Sequence, residues 1–256
     1  MFTSDQEHVV YSKNALTEVL CQLRYPAILS VDRDEPIDFQ ELLRAEYPYY
    51  STRTGQPPAA QQQQAQPKSI TAHQFLSSDK RWRVHLTRNA LTFSTRGYTH
   101  WSEFAARLDV VLAHFIKTYQ PAFFEQISMR YVNAISRKRL DLEDTPWREL
   151  MAPEYLGPLA FSDLREEDAK SCAVELQAAL TSSVNVRIHA GPGFLRVEAP
   201  TPTIEKEPRY ILDLDFAMQG EQMPVNLCGG SIETLHAHAF PVFRAAITDT
   251  LHEAML

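Results

Sequence analysis

Apolar and polar residues alternate with a period of two along much of this sequence, and this alternation constrains the fold more than any other feature. In the segment 16–23, Val19, Cys21 and Leu23 alternate with more polar neighbours. Successive side chains of a strand point to opposite faces of a sheet, so the pattern predicts antiparallel strands with one buried face. The same pattern predicts strands at 70–77, 82–87, 90–95, 124–136, 172–180, 184–189, 194–199 and 210–216.

Two other segments show the spacing of helices. Between 101 and 119, and again between 231 and 251, apolar residues recur every three or four positions and form one stripe. Pro241 lies inside the second stripe and predicts a kink between Ala237 and Pro241. The order of elements predicts an α+β fold: a curved antiparallel sheet, or sheets, with two long helices packed on one face. Two similar halves remain an open alternative.

The composition divides the chain into three parts. Residues 1–138 form an N-terminal α+β half, 139–171 a connector rich in proline and acidic residues, and 172–256 a C-terminal β-meander with the final helix. Within the first part, 51–68 is rich in glutamine and proline and predicts an exposed loop. The connector carries one predicted short helix at 147–151, and Gly191-Pro192-Gly193 predicts a turn.

The bulk composition narrows the class of protein. With 32 acidic and 25 basic side chains the formal net charge is -7, which opposes general binding of nucleic acid. The three cysteines, Cys21, Cys172 and Cys228, show no disulfide or zinc spacing. The segment 1–10 has no apolar core of a signal peptide, and no run is long enough to span a bilayer. We therefore expect a cytoplasmic protein without membrane attachment.

Asp213 and Asp215 are the first candidates for a functional site. They lie two residues apart on a predicted strand, so both carboxylates point from one face and can bind a divalent cation or share a proton. The alternative is the solvent side of a half-exposed strand. His236 and His238 lie on a predicted helix, where their side chains diverge by about 200°, so we expect no shared metal between them.

Tyr131 and Asn133 are the second candidates. They share a strand face with Met129 and Ile135, whereas Arg130 points the other way. A buried asparagine needs hydrogen-bond partners. Asn133 therefore serves a network that stabilises the fold, or it lines a ligand pocket between the sheet and the helix that begins at Trp101.

Three stretches together resemble a sporadically distributed, uncharacterised prokaryotic family of proteins of about this length. They are the segment 16–25, the segment 129–135, and an end segment with 212–215, 235–236 and 243–248. Arg130, Tyr131 and Asn133 match the pattern of the family, and Pro241 departs from its final helix. The resemblance implies no established activity. The patchy distribution implies an accessory role, as in bacterial defence or a toxin–antitoxin-like operon.

Common catalytic signatures and nucleotide-binding motifs are absent from the sequence, and we expect no cofactor. The leading prediction is a non-enzymatic interaction or accessory protein that acts through a protein partner, with homo-oligomers left open. One alternative is a small-molecule-binding domain, or an unrecognised enzyme, with a sheet–helix pocket lined by Tyr131, Asn133 and Trp101. The other is a metal-dependent hydrolase that uses Asp213 and Asp215.

Overall fold

The computed structural model describes residues 3, 5, 7–55, 70–197, 203–205 and 207–256. The strands are β1 Leu16–Arg24, β2 Tyr49–Gly55, β3 Ile70–Leu76, β4 Trp82–Thr87, β5 Ala90–Thr95, β6 Phe124–Ile135, β7 Val174–Ala179, β8 Asn185–Gly193, β9 Arg196–Val197, β10 Thr203–Ile204 and β11 Arg209–Met223. The helices are α1 Ser30–Arg33, α2 Ile37–Leu43, α3 Trp101–Tyr119, α4 Trp147–Leu150, α5 Pro153–Leu156, α6 Cys228–Ala237, α7 Ala239–Ala246 and α8 Asp249–Met255. The predicted α+β class with antiparallel strands is confirmed.

The chain forms two compact units, each built from separated segments. Unit A comprises 19–129 and 218–232, and unit B comprises 1–18, 130–217 and 233–256. Strands β1, β6 and β11 contribute residues to both units. The units therefore differ from the linear division predicted at 138 and 172, because distant strands pair while neighbouring segments of sequence separate.

Unit A contains the predicted meander. Its strands follow the order β2-β3-β4-β5-β1, and the strand pairs are antiparallel, with Cys21 opposite Phe93. The apolar stripe of α3 packs on this sheet through Phe104, which contacts the rings of Trp82 and Phe93. The long helix predicted at 101–119 is thus confirmed.

For its first part, the exposed loop predicted at 51–68 is a strand, although residues 51–53 are exposed as predicted. Residues 51–55 belong to β2, which pairs with β3 in antiparallel register. The cross-strand partner, not the local composition, makes this segment a strand, because Tyr50 packs on Phe75 and bonds His73 through its hydroxyl group. Residues 56–68, with the glutamine run, lie outside the described residues.

Unit B contains an antiparallel arrangement in the order β6-β11-β8-β7. Its core face carries Leu212, Leu214 and Phe216, all fully buried. The turn predicted at Gly191-Pro192-Gly193 is wrong, because these residues continue β8 and pair with 209–211 of β11. A Cβ atom at Gly191 would lie 2.4 Å from the carbonyl oxygen of Cys172, so a close backbone approach explains this glycine.

The strand predicted at 194–199 begins two residues later than expected, at Arg196. The described part is β9, which pairs with β10 in a separate two-stranded sheet. Residues 198–199 lie outside the described residues.

The second long helix is not formed as predicted, because the segment divides into α6, α7 and α8. The first interruption falls at His238, within the predicted range, and it places Pro241 in the first turn of α7, where no helical N–H is needed. The second interruption falls at Ile247, which forms a β-bridge with Met151. Thr248 then caps α8 through its hydroxyl group.

The predicted connector is packed into unit B. Its short helices bury apolar side chains throughout the segment: Leu140, Trp147, Leu150, Met151, Tyr155, Leu156 and Leu159. The indole of Trp147 lies between the Arg137 guanidinium, 4.5 Å from the ring centroid, and the ring of Tyr210 at 5.2 Å. The segment is therefore a part of the core and not only a link between strands.

The cysteines and the helices can be compared with what the sequence predicted. Cys21, Cys172 and Cys228 are all free thiols. Across the described parts of the chain, no helix combines the length and apolar character that crossing a bilayer requires.

Trp147→Ala should lower the free energy of unfolding by about 3–5 kcal/mol, since it removes a fully buried indole from the core. Phe161→Ala is the control in the same segment, because Phe161 is exposed, and it should change stability by less than about 0.5 kcal/mol. Urea denaturation measures both variants. Equal small effects would contradict a packed connector.

Candidate functional site

Arg130 and Asp213 form an ion pair on the face of unit B that is turned away from its apolar core. The Nε atom of Arg130 donates to Oδ1 of Asp213 at 2.7 Å, and Nη2 contacts Oδ2 of the same carboxylate. The hydrogen bonds to Asp213 raise the pKa of Arg130 further above its usual range. Because the guanidinium is planar, this two-point contact fixes the orientation of both side chains.

A second ion pair joins Asp215 to Arg187, its direct neighbour across β11 and β8. The Nη2 atom of Arg187 lies 3.2 Å from Oδ2 of Asp215. Burial raises the pKa of Asp215, although the positive charges of Arg187 and Arg130 oppose that effect. The carboxylate is therefore held partly out of water beside its partner.

The row of charged side chains formed by these two ion pairs continues to β7, the last strand in the order. His189 Nδ1 contacts the carboxylate of Glu175, its cross-strand neighbour on β7. We call the complete row the charged ladder, defined as Arg130, Glu175, Arg187, His189, Asp213 and Asp215. Five of the six lie on one face of β11, β8 and β7, because their positions have the same parity in the paired registers. The two-point contact with Asp213 brings Arg130 of β6 to the same face.

From β11 through β8 to β7, the charged ladder becomes more exposed. Solvent reaches 14% of the side chain of Asp213, 49% of Arg187 and 63% of Glu175. The inner carboxylates are thus fixed and partly desolvated, whereas the outer side chains are open to solvent.

Asp213 and Asp215 each have a guanidinium as their charged neighbour. Among the described residues, no group of three or more histidine, cysteine, aspartate or glutamate side chains is placed to hold a metal ion. A cation at this position would also lie beside the positive charges of Arg130 and Arg187. The geometry therefore favours an ion-paired row over the metal site that the sequence raised.

Tyr131 lies on the opposite face of the sheet and is buried. Its hydroxyl group forms a hydrogen bond with Nδ1 of His236 at 2.9 Å, in which the donor depends on the imidazole tautomer. Burial, with a smaller contribution from His8, lowers the pKa of His236 to about 4. The imidazole is therefore neutral at physiological pH and belongs to the polar lining of the core.

Asn133 is also buried and donates from Nδ2 to the carbonyl oxygen of Leu212 at 3.1 Å. This bond ties β6 to β11 and supports the structural alternative over the ligand pocket.

Trp101 belongs to unit A, where its ring stacks on Phe104 at a centroid distance of 5.8 Å. A described cleft of unit B, with a volume of about 240 Å³, is lined by residues of the connector, among them Trp147 and Leu159.

The three stretches that carry the family resemblance contact each other in unit B. Thr17 donates through its hydroxyl group to the carbonyl oxygen of Val132 at 3.0 Å. Arg130 and Tyr131 of the middle stretch bind Asp213 and His236 of the end stretch. These bonds give the three stretches a common structural role.

Glu175, Arg187 and His189 are functional candidates that were not predicted from the sequence. The signal for the two residues of β8 is its alternation, in which Arg187 and His189 follow the buried Val186 and Ile188 in turn. That signal identifies a solvent face, but only the register with β11 brings these residues to the two aspartates.

Arg130→Ala combined with Asp213→Ala should reveal a coupling energy of about 1 kcal/mol in a double-mutant cycle, reduced by the partial exposure of the pair. The control cycle is Arg165→Ala with Asp168→Ala, because both of these side chains are more than half exposed. Its coupling should stay below about 0.5 kcal/mol. Equal coupling in the two cycles, measured by urea denaturation, would argue against a fixed inner pair.

His236→Asn should remove part of the acid sensitivity of the fold. The pKa of His236 is lowered to about 4 from 6.5, so the unfolded chain binds more protons between these values. The contribution of the neutral His236 to the free energy of unfolding is therefore fully present above pH 6.5. It is lost as the pH drops toward 4, and the loss is at most roughly 3 kcal/mol.

Asparagine keeps a polar atom near the position of Nδ1 but does not titrate, so the slope of stability against pH should flatten in this window. Tyr131→Phe is the matched control, since it removes the hydrogen bond and keeps the imidazole. Chemical denaturation at a series of pH values measures the slope, and a slope unchanged by His236→Asn would contradict the buried neutral imidazole.

Comparison of the sequence with family models gives no match, and no curated protein matches it. A function for this chain is therefore proposed from the geometry of the charged ladder and the residues behind it.

Proposed function

We propose that this protein is a non-enzymatic accessory protein that acts by binding a protein partner through the charged ladder. One observation carries the proposal: an exposed sheet face holds charges of both signs in ion pairs that fix their positions. Charge patterns of this kind provide specificity and fast association, because a partner with the complementary pattern is steered into register.

The pairing of the ladder side chains favours binding. Arg130 and Asp213 are already held by a two-point contact, so they lose little further conformational freedom when a partner docks. The more exposed Arg187 and Glu175 offer one charge of each sign. A partner surface with an acidic group facing Arg187 and a basic group facing Glu175 would fit this arrangement.

The charge balance of the ladder favours a protein over a polyanion. Its two arginines and three carboxylates carry a net charge of -1. A nucleic-acid surface requires clustered positive charge, which this row lacks. The overall charge of -7 supports the same preference.

The alternative functions receive less support from the same residues. A ligand pocket would use Tyr131 and Asn133, whose polar groups bind His236 and the Leu212 carbonyl oxygen. A metal-dependent hydrolase would use Asp213 and Asp215, which face arginines. We further propose that the protein is cytoplasmic. Its role in bacterial defence or in a toxin–antitoxin-like operon is a proposal that rests on the sequence resemblance.

Arg187→Glu should reduce capture of the partner at least tenfold, because it replaces an exposed positive charge of the ladder with a negative one. The matched control is Arg165→Glu, an equal change of charge at an exposed site of the same unit outside the ladder. Tagged wild-type protein and both variants are purified from the native host at equal expression, and the co-purified proteins are quantified by mass spectrometry.

The expected result is one protein retained in near-stoichiometric amount by the wild type and by Arg165→Glu, and reduced at least tenfold by Arg187→Glu. The interaction is then reproduced with the two purified proteins. Recovery that does not depend on Arg187, or recovery of no stoichiometric protein, would contradict the proposal.

A further inference from the structure

Strand β7 ends the strand order of unit B and has only β8 as a neighbour in that order. Three consecutive side chains, Glu175, Leu176 and Gln177, are exposed. Edge strands are commonly protected by charged side chains, above all lysine, by proline or by a bulge. The sequence Val-Glu-Leu-Gln-Ala-Ala contains no lysine or proline, and Glu175 is its one charged residue. Unpaired backbone groups at such an edge are a template for another strand.

The hydrogen-bond pattern identifies which backbone groups of β7 face outward. Just beyond the strand, the N–H of Leu180 donates to the carbonyl oxygen of Val184 at 2.8 Å, in line with the β7–β8 register. Because bonded pairs alternate in an antiparallel ladder, even-numbered residues bond β8 and the odd-numbered ones point away. The N–H and C=O groups of Glu175, Gln177 and Ala179 therefore face the outer side, and the described residues provide them no other backbone partner.

A second copy of β7 fits this edge in one preferred register. A two-fold axis perpendicular to the sheet pairs residues of equal parity, because cross-strand neighbours must share a face. The register is set by the residue at which the axis is centred, since that residue faces itself in the second copy. A centre at Glu175 places two like charges opposite each other, which is unfavourable. A centre at Gln177 sets Leu176 opposite Ala178 and leaves it only partly covered.

A centre at Leu176 brings the two exposed leucines together and pairs the outward backbone groups of Glu175 and Gln177. Leu176, with 37% of its surface exposed, then meets the Leu176 of the second copy, so each covers the other. Glu175 lies opposite Gln177 of the other copy in an outward-facing pair that forms both backbone bonds. Gln177 also neighbours Arg187 on β8, so the incoming Glu175 carboxylate approaches a positive charge.

We infer that this protein forms a homodimer in which β7 pairs antiparallel with β7 of a second copy, centred on Leu176. The self-complementary register selects a second copy over an unrelated extended peptide. The inference goes beyond the proposed function and does not depend on it, because it rests on the outward backbone groups of β7 and on Leu176; Glu175 is the one ladder residue on β7 that takes part in the pairing.

Three substitutions of the exposed Gln177 test the register in the full-length protein. Gln177→Glu creates two like-charge pairs across the two-fold axis and should weaken dimerisation about tenfold. Gln177→Lys creates two opposite-charge pairs with Glu175 and should strengthen it several-fold. Gln177→Pro removes an outward N–H without breaking the ladder to β8 and should weaken dimerisation at least tenfold.

The opposite effects of glutamate and lysine separate dimerisation from folding. Within one copy Gln177 lies beside Arg187, so glutamate should keep or raise the melting temperature while lysine keeps or lowers it. Sedimentation velocity over a range of concentrations measures the dissociation constant, and thermal unfolding checks the fold.

The inferred order of dimer strength is lysine, then the wild-type glutamine, then glutamate and proline. A wild type that is monomeric at every concentration would overturn the inference. So would a dimer that is insensitive to charge at 177, or an edge occupied by a different protein.

Discussion

The structure of unit B depends on strand β6, whose successive side chains bond on opposite faces of the sheet. Arg130 pairs with Asp213 on the outer face, while Asn133 binds the carbonyl oxygen of Leu212 on the core side. A slip of one residue would carry Arg130 into the core and expose Tyr131, so these bonds fix the register of β6 against β11. The charged ladder exists only because that register holds.

The connector and the divided final helix are two consequences of the same packing. Trp147 and its apolar neighbours fill the core of unit B, and Tyr210 bonds the carbonyl oxygen of Tyr155. The bridge between Met151 and Ile247 needs extended backbone, which a continuous helix cannot supply. The helix is therefore interrupted at Ile247, where the bridge joins the connector to the C-terminal segment.

Local periodicity predicted the strands β1, β3, β4, β5 and β6 and the helix α3, because each has a strong apolar pattern of its own. It failed at β2 and at Gly191 to Gly193, where pairing with a distant strand overrides turn-forming or polar composition. The candidate site was predicted in part. Alternation placed Asp213 and Asp215 on one face, yet their partners, Arg130 and Arg187, follow from a register that one sequence does not reveal.

Exchange of one ion pair tests most directly whether the charged ladder is a docking surface or only a structural row. Arg187→Asp combined with Asp215→Arg keeps the cross-strand pair and the net charge but reverses the order of charges. A docking surface predicts stability within about 1 kcal/mol of the wild type together with loss of partner capture. Unchanged capture by this folded double variant would contradict the proposed role of the ladder.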